Sequence, residues 1–223
     1  PHWMFSWRNW LARNPAMLTI RASALGEIMT PGKKAGELSA GAKTFVRKEF
    51  RRNLLGFREE VTSKEMEKGI RCEQDSIDLY NTVYFTDWQK NTDRVTNDYV
   101  TGECDIFTGS VVIDIKTVWS LASFPVLASD AENTGYEWQL RAYMWLWDCD
   151  EAILAYCAVN TPDDLMRWEG PSAHIVDHID PVKRVTRLFY KRDAAKEEQI
   201  AERVTACRDY YNQIAAEYAA QTR

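Results

Sequence analysis

The sequence is short of the features that mark membrane-bound, disulfide-bonded and zinc-binding proteins. Its 223 residues contain no apolar run near the ~20 residues that a membrane-spanning helix needs. Charged and aromatic side chains interrupt the first ten residues, so these do not form the apolar stretch of a signal peptide. The five cysteines include no C-x-x-C pair, which argues against a zinc site or a disulfide framework. We therefore expect a cytoplasmic protein.

An excess of positive charge is also missing. The net charge of −5 argues against a protein that coats nucleic acid by bulk charge, but it leaves room for a local basic groove beside an acidic metal site. We interpret the basic residues at 43, 47, 48, 51 and 52 as a solvated helix face, with contact to a DNA backbone as the alternative. His174 and His178 have no third ligand nearby, so we interpret them as surface histidines rather than a metal pair.

Apolar residues make up 45% of the chain, enough for the core of one domain. The apolar periodicity and capping signals predict helices, the last of them capped by Asp193, at 42–55, 62–80, 134–147 and 193–218. Strands are predicted at 100–107, 110–117, 151–159, 167–176 and 184–191. This order predicts an α/β fold in which helices flank a central mixed sheet.

Further local patterns predict helix starts and the division of the chain. Trp3, Trp7 and Trp10 share one face of a short helix, and Ser23 is expected to cap a helix that follows a strand or turn at 19–23. Thr62 and Glu65 form a T-x-x-E capping box. We expect one domain over 1–223, made of an N-terminal helical segment (1–18), a core (19–192) and a C-terminal helix (193–223).

The most informative stretch is the hairpin around Gly109-Ser110. If these residues form a two-residue type II′ turn, counting outward places Asp105 opposite Asp114. Paired side chains have Cβ atoms roughly 4.5–5.5 Å apart, and like charges at that distance repel. A divalent cation such as Mg²⁺ between the carboxylates removes that cost. A structural aspartate beside a turn is the alternative.

Lys116 lies on the same strand face as Asp114, because side chains alternate with period two. Its ammonium would then lie beside the metal, where it can hold a water molecule or contact a phosphate. A bound metal lowers the pKa of its water and neutralises charge that builds on phosphorus. D-x-K alone is a weak signal, and it gains weight here from the Asp105–Asp114 pairing.

Two helices add candidates to this set. Glu73 follows Gly69 on the helix before the hairpin and is a candidate third carboxylate, with a solvated glutamate as the alternative. Gln139 and Tyr143 stand four residues apart on one helix face, which also suits a buried polar pair of a packed helix.

Together, Gly69-x-x-x-Glu73, Asp105, Asp114-Ile115-Lys116 and Gln139-x-x-x-Tyr143 resemble the PD-(D/E)xK nuclease superfamily, in its branch with a Q-x-x-x-Y helix. More narrowly, the chain resembles the YqaJ-like viral recombinases, the family of the phage lambda exonuclease, from about Thr19 to the C-terminal helix. Arg21-Ala22-Ser23 looks like an early A-S segment of that family. The chain departs from the pattern at Cys104, where relatives have proline, and at Asp114, where many have glutamate.

The resemblance implies a PD-(D/E)xK restriction-endonuclease-like fold and a metal-dependent DNA nuclease. One or two Mg²⁺ or Mn²⁺ ions would be ligated by Glu73, Asp105, Asp114 and the Ile115 carbonyl. Lys116 would position or deprotonate the attacking water, Gln139 would orient Lys116, and Tyr143 would support the site. Contacts to DNA or to a terminal phosphate would come from Ser23, Arg21, Arg13 and Arg141.

The family's activity is 5′→3′ degradation of one strand of linear duplex DNA, whose single-stranded product passes to a strand-annealing protein for phage-type recombination. Partners implied by the resemblance are double-stranded DNA ends, an annealing protein and two further copies of the chain in a trimeric ring, in the cytoplasm of a bacterial host. Related iron–sulfur nucleases carry closely spaced cysteines that are missing here, so no iron–sulfur cluster is expected. The alternatives are a site-specific or structure-specific endonuclease on this fold, and an inactive DNA-binding module.

Overall fold

The computed structural model describes residues 18–34, 36–57, 63–166 and 168–221. The helices in these ranges are α1 (Leu25–Met29), α2 (Ala40–Leu55), α3 (Lys64–Arg71), α4 (Glu73–Tyr84), α5 (Thr134–Leu146), α6 (Asp163–Met166) and α7 (Ala194–Gln221). The strands are β1 (Ile20–Arg21), β2 (Val95–Thr96), β3 (Val100–Gly102), β4 (Ile106–Phe107), β5 (Val111–Thr117), β6 (Glu151–Cys157) and β7 (Val185–Lys191).

A mixed four-stranded sheet forms the centre, in the order β4-β5-β6-β7. The pair β5–β6 is parallel, and the pairs β4–β5 and β6–β7 are antiparallel. A second sheet of three short strands, in the order β1-β3-β2, precedes it in the chain. The predicted α/β fold, with a mixed sheet flanked by helices, is confirmed.

Both faces of β5 are covered, which explains its nearly continuous burial. Ile113 and Ile115 pack in an apolar cluster with α4, whereas Val112 on the other face packs in the larger cluster that includes α5 and α7. Full burial of such side chains contributes about 1.5–3 kcal/mol each. The strand is thus held rigidly between two layers, and Asp114 and Lys116 share the face towards α5.

Of the two helix caps predicted at Asp193 and Ser23, one is confirmed. Asp193 Oδ1 accepts a hydrogen bond from Ala195 N (3.0 Å), so the long C-terminal helix begins where it was predicted. The prediction for Ser23 was wrong, because that residue lies within a 3-10 turn (Ala22–Ala24) and α1 begins after Ala24 without a side-chain cap. Trp3, Trp7 and Trp10 lie outside the described residues, so the N-terminal segment stays a prediction.

The predicted helix over 62–80 is two helices that meet at Cys72. Thr62 lies outside the described residues, and Ser63 caps α3 by accepting from Met66 N (3.2 Å). Near the junction, Lys68 Nζ donates to the carbonyls of Trp119 (3.0 Å) and Val159 (2.9 Å). Partners so distant in sequence leave no local pattern, so periodicity could not indicate the break.

Two strand predictions also need correction. The segment 100–107 is divided between β3 and β4, which belong to different sheets. Residues 168–176 contain a 3-10 turn (Pro171–Ala173) instead of a strand, with Pro171 fixing the first position of the turn. No helix of the described ranges is both long and apolar enough to cross a membrane.

Candidate active site

The hairpin β4–β5 brings two aspartates together as its register predicted. Ile106 pairs with Ile113 and Phe107 with Val112, and the same register places Asp105 opposite Asp114. Gly109 has a φ of +92°, the left-handed conformation that the first turn position of a type II′ hairpin needs. The short turn therefore fixes the alignment of the two carboxylates.

Strand β4 begins only after Asp105, because the backbone before Ile106 has other partners. In a continued ladder, Ile115 N would donate to Cys104 O; instead it donates to Asp105 Oδ2 at 2.5 Å. The freed Cys104 carbonyl accepts from Asn91 Nδ2 (3.0 Å), and Asp105 O accepts from Asn91 N (2.7 Å). These bonds fix the Asp105 carboxylate against β5.

Gln139 on α5 joins the acidic and basic groups of β5. Its Nε2 donates to Asp114 Oδ1 (3.2 Å) and to Tyr143 OH (2.9 Å), and its Oε1 accepts from Lys116 Nζ (3.4 Å). Lys116 Nζ also lies 2.6 Å from Asp114 Oδ2. One amide side chain therefore holds the carboxylate and the ammonium in a fixed relation.

Tyr143 connects this group to the segment before Asp105. Its hydroxyl donates to Glu103 O at 2.9 Å. A Cβ added to Gly102 would lie 2.6 Å from the Tyr143 ring, so the ring and the backbone approach at a distance that only glycine permits. The helix face of Gln139 and Tyr143 thus supports both aspartates.

The electrostatics of the site follow from placing two carboxylates in a buried space. Burial, followed by the negative charge of Asp114, raises the pKa of Asp105 above its ordinary value. Burial lowers the pKa of Lys116, but the charges of Asp114 and Asp105 outweigh burial, so the pKa of this ammonium is raised overall. Lys116 is therefore a cation that offsets only part of the negative charge.

The donor set suits a hard divalent cation. Asp114 is 2% exposed, and its Oδ2 has the Lys116 ammonium at 2.6 Å as its partner. Carboxylate oxygens are the ligands that Mg²⁺ and Mn²⁺ prefer. The described residues, however, contain no group of three His, Cys, Asp or Glu side chains arranged to hold a metal. Asp105 and Asp114 therefore form a two-carboxylate site.

Glu73 lies at the edge of this site and not within it. Its negative charge contributes to the raised pKa of Asp105, but its Oε2 is 2.5 Å from Lys90 Nζ. A Cβ at the nearby Gly69 would meet nothing within 4 Å, so that side of the helix is open.

Comparison with solved structures identifies the family. The chain is similar to a phage-related exonuclease from Haemophilus somnus 129PT, with a TM-score of 0.86 and 32% identity, over 93% of this chain and 99% of that one. The chain belongs to the phage-related exonuclease family. Within the PD-(D/E)xK superfamily this is the YqaJ-like, lambda-exonuclease-like branch that the motifs predicted, and membership identifies the chain as a nuclease.

Structures with lower sequence identity share the fold. An alkaline exonuclease from Laribacter hongkongensis superposes with a TM-score of 0.68 at 13% identity, over 96% of this chain and 97% of that one. A structure of the same enzyme in complex with dAMP gives the same TM-score at 16% identity. Neither a protein-family model nor a curated protein matches the sequence.

The residues predicted to contact DNA do not form a single cluster in the described part of the chain. Arg21 and Ser23 are exposed on and just after β1, and Arg21 pairs with Thr101 of the strand that leads to Asp105. Arg13 lies outside the described residues. Arg141 points elsewhere, because its guanidinium bonds to Glu137 (3.0 Å) and to the carbonyl of Lys191 at the end of β7.

Two residues beside the site, Lys90 and Tyr136, belong to none of the sequence motifs. Lys90 stands 17 residues after Glu73, in a loop. Tyr136 places its ring 4.6 Å from Lys116 Nζ, in a cation–π contact. Tyr136 lies three residues before Gln139 on α5, so the helical period is the one signal that places both side chains on the same face.

The interpretation of His174 as a surface residue was wrong. Its side chain is 1% exposed, with Nδ1 3.0 Å from Thr161 Oγ1 and Nε2 3.0 Å from Glu169 Oε2. A buried imidazole needs such partners. His178 is exposed, as expected.

Proposed function

We propose that this nuclease is a Mg²⁺- or Mn²⁺-dependent exonuclease that degrades one strand of linear duplex DNA from its 5′ end. The observation that carries the proposal is the pairing of Asp105 with Asp114, two carboxylates beside a single protonated lysine, whose Nζ lies 2.6 Å from Asp114 Oδ2. A charge arrangement of this kind is unfavourable unless a cation completes it. The family membership supports DNA as the substrate.

Asp105, Asp114 and the Ile115 carbonyl would hold one or two ions, with Glu73 joining them after it leaves Lys90. When bound, the metal supplies an activated water molecule and neutralises charge on the phosphate. Lys116 holds a water molecule in line with the scissile phosphorus, and attack leaves a 5′-phosphate on the released nucleotide. Gln139 orients the lysine through its Oε1 and the carboxylate through its Nε2.

The preference for DNA ends would come from residues of the first strand and of the 3-10 turn that follows it. Arg21 and Ser23 are exposed, and β3, the neighbour of β1, continues directly into the Asp105 segment. Both side chains are therefore available to a terminal phosphate near the site, with Arg13 as a further candidate. The remaining single strand would pass to an annealing protein for recombination, and three copies of the chain would enclose the duplex.

The first experiment is digestion of linear duplex DNA labelled at either 5′ or 3′ end, with closed circular DNA and a linear duplex whose ends are closed by hairpins as controls. Reactions contain Mg²⁺, EDTA, or Mg²⁺ with Lys116→Ala. The proposal expects early release of the 5′ label from open linear DNA with metal, and intact controls throughout.

Other results have distinct meanings. Cutting of the circle or of the hairpin-closed duplex would replace the proposal with an endonuclease. Early release of the 3′ label would reverse the polarity. Absence of cleavage with every divalent metal, combined with retained DNA binding, would identify an inactive binding module.

A further inference from the structure

The loop between α4 and β2 is built to hold a lysine beside the acidic site. Asn81 fixes its beginning, since Nδ2 donates to Trp88 O (2.9 Å) and Oδ1 accepts from Trp88 N (3.1 Å). Asn91 fixes the segment next to Lys90, because its backbone N and its side chain donate to the carbonyls of Asp105 and Cys104. Lys90 is therefore held next to the Asp105 segment.

Lys90 contacts one carboxylate in this position and lies in the field of two more. Its Nζ forms an ion pair with Glu73 Oε2 at 2.5 Å, and the negative charges of Asp105 and Glu103 also act on it. Arg94 forms an ion pair with Glu103 at 3.0 Å, so Arg94 already offsets the negative charge of Glu103. Glu73 is the carboxylate to which Lys90 is bonded directly.

This bond conflicts with metal ligation by Glu73. An ammonium 2.5 Å from Oε2 repels a cation that approaches the same carboxylate. The Lys90 side chain is 40% exposed, so its end can move into solvent at little cost. The pair is thus one that a divalent cation can displace.

We propose that Lys90 and a divalent metal ion compete for the Glu73 carboxylate, so that Lys90 holds Glu73 at the site until the metal displaces it. This inference rests on the proposed function, since it requires a metal at Asp105 and Asp114. Lys90 is a positioning residue: it acts on the metal through Glu73. Its removal leaves Glu73 free and makes metal binding tighter.

The test measures Mn²⁺ binding by calorimetry without DNA, so the result does not depend on activity. The proteins are the full chain, Lys90→Met, Glu73→Gln and the double variant. We expect Lys90→Met to tighten Mn²⁺ binding by about twofold to fivefold, the range of an exposed ion pair. Glu73→Gln should weaken binding, and the double variant should bind as weakly as Glu73→Gln alone.

Lys43→Met is the matched control. Lys43 on α2 is 38% exposed and lies 3.2 Å from Glu37, so the substitution removes a similarly exposed, ion-paired lysine far along the chain from Lys90. Its Mn²⁺ affinity should equal that of the unchanged chain. Lys90→Gln, which keeps a polar loop residue, guards against a folding defect and should behave like Lys90→Met.

The outcomes separate the two proposals. Mn²⁺ binding by the unchanged chain with no gain in Lys90→Met would overturn the competition and leave the proposed function intact. An equal gain in the Glu73→Gln background would also overturn it, because Lys90 would then act by charge at a distance. Absence of Mn²⁺ binding by the unchanged chain would overturn both.

Discussion

Two lysines in the interior of this nuclease have opposite surroundings. Lys68 on α3 is 1% exposed and donates to two backbone carbonyls, whereas Lys116 on β5 lies 2.6 Å from the Asp114 carboxylate and also feels the charge of Asp105. Burial lowers the pKa of Lys68 to about 8, since only a weak effect of Cys72 opposes it. At Lys116 the two aspartates outweigh burial and raise the pKa.

The difference separates a lysine with a structural role from the one that the proposed function uses. The carbonyls of Trp119 and Val159 provide hydrogen bonds without charge, so Lys68 ties α3 to the ends of β5 and β6 and has no carboxylate to neutralise. Lys116 belongs to a group in which negative charge exceeds positive charge. An excess of buried charge costs stability and persists where function requires it.

Substitution of Lys116 should have the largest effect on the DNA hydrolysis rate. Lys116→Met should lower the DNA hydrolysis rate by about 10²-fold to 10⁴-fold, because the site loses the cation that holds the water molecule. The measurement is single-turnover digestion of linear duplex in Mg²⁺, with circular dichroism to show that the variant is folded. The same substitution at Lys68 is the control, and a Lys116 variant with a tenth or more of normal activity would remove this lysine from the chemistry.

Lys68→Met should act on stability instead. Trp119 O keeps Thr161 Oγ1 as a donor at 3.2 Å, so Val159 O is the carbonyl that loses a partner. A buried carbonyl left unbonded costs about 1–3 kcal/mol, partly offset by removing a buried ammonium. Urea unfolding measures the loss, and activity per folded molecule should change by less than about threefold. A hundredfold loss of activity with normal stability would contradict the structural role.

These two lysines also show what the sequence could predict. The alternation of β5 and the Gly109-Ser110 turn placed Lys116, Asp105 and Asp114 on one face, since hairpin register is a local property. Lys68 carries no local signal, because its partners come from loops 51 and 91 residues later. The same reason explains the missed break at Cys72.

Within the site, too, local patterns predicted some residues, whereas tertiary contacts placed others. Gln139 was found from its spacing to Tyr143, and its three bonds follow from the face that α5 turns to β5. Lys90 could not be found, because it reaches Glu73 from a loop whose path depends on Asn91 bonding to the Asp105 segment. The break of the predicted strand 100–107 depends on the same tertiary bonds.

A smaller effect is expected where an aromatic ring faces Lys116. Tyr136→Leu removes a cation–π contact of 4.6 Å and should lower the hydrolysis rate by about twofold to fivefold, since such contacts contribute about 0.5–1 kcal/mol. Tyr136→Phe keeps the ring face and should retain the rate, which single-turnover digestion of both variants will show. Equal losses in both variants would assign the effect to the hydroxyl.

The smallest effect is the pH dependence that Lys68 gives to stability. Its pKa of about 8 in the folded chain lies below the ordinary value of 10.5, so between these values the unfolded chain binds a proton that the folded chain has released. The free energy of unfolding therefore rises with pH between about 8 and 10.5, and the rise begins below this window with roughly a few tenths of a kcal/mol between pH 7 and 8.

Lys68→Met isolates this contribution from other titrating groups. The difference in unfolding free energy between the unchanged chain and the variant should grow in favour of the unchanged chain as pH rises from about 7 towards 9. Urea unfolding at matched ionic strength over this range measures it. A difference that is constant from about pH 7 to 9 would mean that the pKa of Lys68 is not lowered, because an ordinary or a raised pKa leaves its ammonium charged in both the folded and the unfolded chain over this range. The contrast with Lys116 would then disappear, since both ammonium groups would keep their charge.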